Sequence, residues 1–382
     1  MRPPTRPARR RALPVLSRCH VPRPHRVSQV SSSNMSARVT RKRARMEAEQ
    51  AEEDVGSTSA TGSVDASTPD FARDEELWYE DGTIILVARG IGFKVYKGPL
   101  VDHSPVFKDM LSLPQPATTA AAPNCPVIPL PDSPADLRHV LRLLMPSKRI
   151  RLTGVQNASF VAVCACIRIA HKYQIDHLVE ESLKYLRKFY PDTFDLFLKS
   201  RAKPLNPQYA VTVVNLARLT GANNLLPMAL AECCRLGPAL VLGIAQADGT
   251  REHLSPTDLA LCFHAKDKLV EARVKAFAAM FNTLEDVRAN VCDHQDQGAP
   301  DDQDFEIVQT ELLDGTVPGL CSPNVWDSLA ARVLARIPEI CKPCKKAVKS
   351  AELEQQKAIF ERLPDLVGVV VEGWGKDPSG KK

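Results

Sequence analysis

No run in this 382-residue chain approaches the roughly 18 consecutive apolar residues that a membrane-crossing helix needs. The N-terminus is basic, but no apolar segment stands behind it, so a secretory signal is not expected. Eleven cysteines are too few and too scattered for a disulfide framework. Together these absences point to a reduced, intracellular protein with no membrane partner. Chemistry-bearing motifs are missing as well. There is no Gly-x-Ser-x-Gly turn to expose a nucleophile, and no pair of carboxylates stands out as acid and base. Gly90-x-Gly92 lacks the third glycine and the Lys-Ser/Thr of a phosphate-binding loop. An enzyme is therefore not expected, and no cofactor is implied.

Acidic residues are absent from residues 1–46, which carry 13 Arg or Lys. Taking that 13 from the formal net charge of +5 leaves −8 for the rest, so the basic character belongs to a tail. Residues 1–34 hold Arg, Pro and Ser with too little apolar surface to offset the entropy of ordering, which predicts disorder. The same composition suits a mitochondrial transit peptide, although Pro3, Pro4, Pro7, Pro14, Pro22 and Pro24 would break the amphipathic helix such a peptide needs. A third reading is an extension ahead of a true start at Met35. Arg41, Lys42, Arg43 and Arg45 form a compact cluster that reads as a nuclear import signal, a nucleic-acid patch or a solvated tail. No DNA-reading module accompanies it, so specific nucleic-acid binding is not expected. A nuclear or cytoplasmic address follows, with the cluster favouring the nucleus. Residues 47–72 turn acidic and then Ser/Thr/Gly-rich, as a flexible linker does.

What is present is a chain with 44% apolar residues, enough for a sizeable core. Folding is expected from about Phe71, with Leu77-Trp78-Tyr79 as an extended lead-in. The runs Thr83–Ala88 and Phe93–Tyr96 read as two strands, with Arg89-Gly90-Ile91-Gly92 as the turn between them. A helix follows, and Ser104 ahead of Pro105 reads as its N-cap. Residues 113–126 read as a loop. Cys125–Leu130 is a short strand whose flanking prolines suit a sheet edge. Ser133-Pro134-Ala135-Asp136 opens a helix that buries Leu137, Val140, Leu141 and Leu144. Residues 149–152 alternate like a strand. Two helices are expected over 156–190, broken near Gln174-Ile175-Asp176, with His171 on the buried face of the first.

The segment Phe93-Lys94-Val95-Tyr96-Lys97 followed by His103-Ser104-Pro105-Val106-Phe107 resembles the signature of the BTB (POZ) domain. The blocks Val127–Pro134 and Ala170–Leu178 resemble further positions of that family, in the same order. Tyr96 departs from it, because the family usually has His there, and the loop 113–126 is unusually long. The resemblance implies an α+β domain over 71–190, with a small sheet capping a helix cluster and a mostly α-helical region over 191–375. It also implies dimerisation with itself or another BTB protein. Leu77, Trp78, Val106, Phe107, Met110 and Leu111 are the candidates for that interface or the core beneath it. Asp81 and Lys97 are the candidates for charges beside the twofold axis. An adaptor or scaffold function follows, with an unknown protein partner on the helical region. The alternatives are a substrate adaptor for a cullin ubiquitin ligase and a nuclear regulator working through Arg41–Arg45.

Beyond residue 190 the pattern is helical. Pro207–Leu219, Ala222–Leu236 and a helix starting at Ser255-Pro256-Thr257-Asp258 are expected. The last of these should bury Leu259, Cys262, Phe263, Val270, Val274, Phe277 and Phe281. Residues 282–321, with ten Asp or Glu against one Arg, read as an irregular acidic loop. Trp326, Leu329, Ala330, Val333, Leu334 and Ile337 mark an amphipathic helix, and Leu353–Leu363 a last one, before a polar tail at 376–382. BTB proteins of mushroom-forming basidiomycete fungi are similar in this layout, including a late Cys-x-x-Cys, here Cys341 and Cys344. That pair is the sharpest metal or redox candidate. Zinc needs four ligands, and only Cys321, Cys292 and His294 offer remote company. The pair is placed at the end of a helix, where it reads as core packing at a helix junction.

Overall fold

The computed structural model describes residues 71–113, 125–146, 159–201, 206–246, 249–290, 307, 310–311, 319–337 and 340–376. The basic cluster Arg41, Lys42, Arg43 and Arg45, the strand expected at 149–152, Cys292 and His294 lie outside these residues.

Four strands make one mixed sheet: β1 (Ala72–Trp78), β2 (Ile84–Ala88), β3 (Ile91–Val95) and β4 (Val127–Leu130), in the order β1-β3-β2-β4. β2 and β3 are antiparallel, while β1 runs parallel to β3 and β4 parallel to β2. The lead-in expected at 77–79 is thus the end of a true edge strand. The hairpin turn is tighter than expected. Ala88 pairs with Ile91, leaving only Arg89 (φ 45°) and Gly90 (φ 79°) to reverse the chain. Two positive φ values match the right-handed twist of the flanking strands. Gly92 belongs to β3 instead, paired with Val87, and a Cβ there would stand 2.3 Å from the Phe71 ring. Ile84, Leu86 and Ala88 alternate inward, as do Phe93 and Val95, and all five are fully buried.

Helices α1 (Lys97–His103) and α2 (Pro105–Ser112) follow the hairpin, and α3 (Pro134–Leu144) follows β4. Ser104 is the N-cap of α2. Its Oγ accepts from the Phe107 amide at 3.0 Å and donates to the Tyr173 carbonyl. The same hydroxyl therefore ties α2 to the end of α4 (Phe160–Lys172), which is followed by α5 (Asp176–Leu186).

Helix α4 is buried on two sides. Cys166, Ile169 and Ala170 join Leu86, Phe93, Leu100, Phe107 and Leu141 in a core beneath the sheet. Phe160, Val163, Cys164 and Ile167 face a second core built from the helices that follow. A helix apolar nearly all round has no solvent face to spare. His171, expected on the buried face, is exposed, because that face has turned outward by the last turn. The break after α4 is a C-terminal cap in which Gln174 takes φ 53°. The Ile175 amide donates to the Ala170 carbonyl at 2.8 Å and the Gln174 amide to that of His171 at 3.2 Å. Ile175 then enters the sheet core fully buried.

The second core collects α6 (Phe194–Ser200), α7 (Tyr209–Thr220), α8 (Leu226–Cys233) and α9 (Ala239–Leu242). A two-residue ribbon, β5 (Ile244–Ala245) with β6 (Arg251–Glu252), leads to α10 (Pro256–Asn290). Ser255 caps α10, its Oγ accepting from the Asp258 amide at 3.0 Å. Helix α10 is 35 residues long, so the irregular region expected from 282 starts later, and Ile307, Thr310 and Glu311 are helical too. Its buried phase runs through Cys262, Ala265, Leu269, Arg273, Phe277, Met280 and Leu284. Phe263, expected inside, is 57% exposed. A third core joins the end of α10 to α11 (Leu329–Arg336) and α12 (Lys342–Glu361), and α13 (Leu363–Val367) closes the second. α12 starts eleven residues before the helix expected from Leu353. Among the described residues no helix is long and apolar enough to cross a membrane.

Gln174→Gly removes a side chain from a left-handed position that costs an L-residue about 1–2 kcal/mol, partly offset by glycine's greater freedom when unfolded. The expected outcome is a gain of about 0.5–1 kcal/mol, read as a higher urea midpoint at unchanged slope; a lower midpoint would contradict the cap.

Candidate functional site

The strand–helix unit of residues 71–113 holds every residue proposed for an interface. Leu77, Phe107 and Leu111 are buried in the sheet core and belong to the layer beneath any surface. Trp78, Val106 and Met110 are half-buried. The Trp78 ring lies 6.3 Å from Phe71, with the Arg73 guanidinium 4.7 Å above it. Asp81 and Lys97 are exposed and engaged separately. Tyr96 donates its hydroxyl to Asp81 Oδ1 at 2.6 Å, and this contact first, with some burial, pushes its phenol up. Lys97 Nζ donates to the Leu111 carbonyl at 3.1 Å, at the negative end of α2. Tyr96, the residue departing from the BTB pattern, is thus the one that takes up the carboxylate.

Two arginines of α3 fasten β1 to the body. Arg138 donates through Nε (2.8 Å) and Nη2 (2.6 Å) to Asp74 Oδ2, and Asp74 Oδ1 accepts from the Leu77 amide at 2.9 Å. Burial alone would raise the Asp74 carboxyl; the Arg138 guanidinium and the amides of Leu77 and Glu76 outweigh it and hold it below the ordinary value. One turn on, Arg142 grips Glu76 with the same two nitrogens, here one to each carboxylate oxygen.

The cysteines sort by burial. Cys164 and Cys166 point into different cores, and burial pushes both thiols up to about 12, which leaves them unreactive. Cys341 and Cys344 lie at the start of α12 rather than at a helix end: Cys341 is the N-cap and Cys344 is 1% exposed in the third core. Cys321 is exposed. Among the described residues no group of three or more His, Cys, Asp or Glu side chains is placed to hold a metal. The His103 ring lies 4.9 Å from that of His177, tilted by 46°, and the Ser104 hydroxyl is already spent on Tyr173 and Phe107.

The helical region contains two features that the sequence pattern did not suggest. Arg273, in mid-helix on α10, is 1% exposed. Its guanidinium donates to the carbonyls of Gly319 (2.9 Å), Asn324 (2.6 Å) and Asp327 (2.9 Å), so it holds the whole loop before α11. That loop carries Trp326, which forms one wall of a cleft of about 320 Å³ between α6, α8 and the loop. Phe197 lies 4.5 Å from Trp326 in the same wall, and Arg201, Glu232 and Arg235 bring charge to it. Burial raises the Glu232 carboxyl, and its Arg235 partner only partly offsets this.

No protein-family model matches this chain, and no curated protein matches it.

Arg138→Ala leaves Asp74 buried without its cation and should cost about 3 kcal/mol, the lower end for breaking a buried pair because Arg138 is 31% exposed. Asp74 is depressed in the folded state, so its contribution is complete above the ordinary carboxylate range and is lost as pH falls through it and on to the depressed value. Urea midpoints measured from pH 7 down to pH 3 should therefore fall less steeply in Arg138→Ala than in the wild type. Arg273→Met removes the donor of three carbonyls and should cost at least about 3 kcal/mol; a variant as stable as the wild type would show that water replaces the guanidinium.

Proposed function

We propose that this protein is a protein–protein association module of the BTB type, which pairs with a second copy or a related chain and serves as an adaptor or scaffold. One observation carries the reading: the order of elements, a hairpin leading through α1 to a Ser-Pro-capped α2, a parallel β4, then α3 and the α4–α5 pair. This is the order that the resemblance of residues 93–107, 127–134 and 170–178 calls for. Two features of the unit agree with a contact surface. Trp78, Val106 and Met110 keep part of their apolar area in solvent above a fully buried layer of Leu77 and Phe107. Asp81 and Lys97 remain exposed beside them, where charges set register and partner choice more than affinity. In this reading the helices from α6 onward present a second surface to a different protein. A closed pair would use the same patch on both copies.

The full chain is the proper object for the test, because α4 serves both cores and a fragment ending near residue 190 would expose half of it. At tens of micromolar the chain should sediment at twice its mass of 42.0 kDa. Val106→Glu with Met110→Glu changes half-buried positions and should weaken pairing at least tenfold with little loss of stability. A wild-type chain that stays monomeric across that range would remove the reading.

A further inference from the structure

The cleft of the helical region has the composition of a ligand site, and the pairing surface on residues 71–113 does not use it. Its volume of about 320 Å³ falls in the range of small-molecule pockets. Phe197 and Trp326, their rings inclined at 51°, supply an apolar corner, with Met228 beside them. Arg201 stands at the edge, its guanidinium 5.7 Å above the Phe197 ring. Gln356 takes one of its nitrogens, Nη1, at 2.8 Å. The Nε and Nη2 edge is left over, and that pair of parallel donors matches the two oxygens of a carboxylate. No carboxylate among the described residues pairs with Arg201, whereas Arg235 at the same cleft is held by Glu232. In the wall itself, the indole Nε1 of Trp326 is a buried donor with no acceptor among the described residues.

We propose that this cleft binds a small aromatic monocarboxylate, its ring laid against Phe197 and Trp326 and its carboxylate on the Nε/Nη2 edge of Arg201. Arg235 is paired with Glu232, so among the described residues Arg201 is the cation of the cleft without a carboxylate partner, which suits one planar charge. A dianion such as a phosphate monoester would bring a second negative charge toward Glu232.

The test uses the full-length protein with 2-naphthoate and its uncharged analogue 2-naphthamide, followed by calorimetry and by the indole N–H resonances of the three tryptophans. Naphthoate should bind at least tenfold more tightly than naphthamide. The indole signal that disappears in Trp326→Phe should be the one that shifts on binding. Arg201→Gln should reduce naphthoate affinity to that of the amide, and Arg201→Lys, which keeps the charge but loses the fork, should recover only part of it. The proposal is overturned if the wild type binds neither probe, if both bind equally, or if a different indole responds. Because the wild-type comparison needs no variant, a poorly folded Arg201→Gln leaves the result decisive. Binding of naphthoate by a monomeric chain would leave this site standing while the association reading fell.

Discussion

Helix α4 is the element on which the rest depends. Its thirteen residues are shared between two hydrophobic cores, one under the sheet and one among the following helices. Each large apolar side chain buried on it contributes about 1.5–3 kcal/mol, and neither core can be assembled without it. Its ends are secured accordingly. The Ser104 hydroxyl reaches the Tyr173 carbonyl at its C-terminus, and the left-handed Gln174 turns the chain so that Ile175 drops into the sheet core. The hairpin, α2 and α3 are arranged around one flank of this helix, and α7 lies on the other.

Charge is handled by the same logic at two distant places. Asp74 and Arg273 are buried ions, and each is met chiefly by fixed partners that also define local backbone. The Asp74 carboxylate closes the turn at Glu76–Leu77 while Arg138 neutralises it; the Arg273 guanidinium gathers three carbonyls of one loop. In both cases the ion specifies where an irregular segment sits, β1 in the first and the Trp326 loop in the second. The aromatic wall of the cleft is therefore positioned from behind by a side chain that does not line it.

Much of the sheet half was legible because its signals are short-ranged. The period of two in β2 and β3, the Ser-Pro caps and the stripe of α3 each depend on neighbours in the chain. The α10 reading placed Cys262, Phe277 and Phe281 on the buried side, as found, and missed at Phe263, which is exposed, and at Arg273, which is buried. Admitting a cation to a core position requires knowing that the carbonyls of Gly319, Asn324 and Asp327 converge on it, and those lie some fifty residues away. The cleft was illegible for the same reason, since Phe197, Arg201, Glu232 and Trp326 come from three separate segments. Asp81 lies in the turn between β1 and β2, and its partner was not legible, because the hydroxyl of Tyr96 only comes opposite once β2 and β3 are in register.

Pro129 has a consequence for how copies of this chain can meet. The Ile85 amide donates to the Pro126 carbonyl, so along the parallel ladder residues 126, 128 and 130 turn their backbone groups toward β2. Residue 129 therefore faces away, and a proline there offers no N–H to an incoming strand. That margin of the sheet is one donor short, while the opposite margin is β1. Association along strand edges is therefore disfavoured on the β4 side, which works against growth into a fibre.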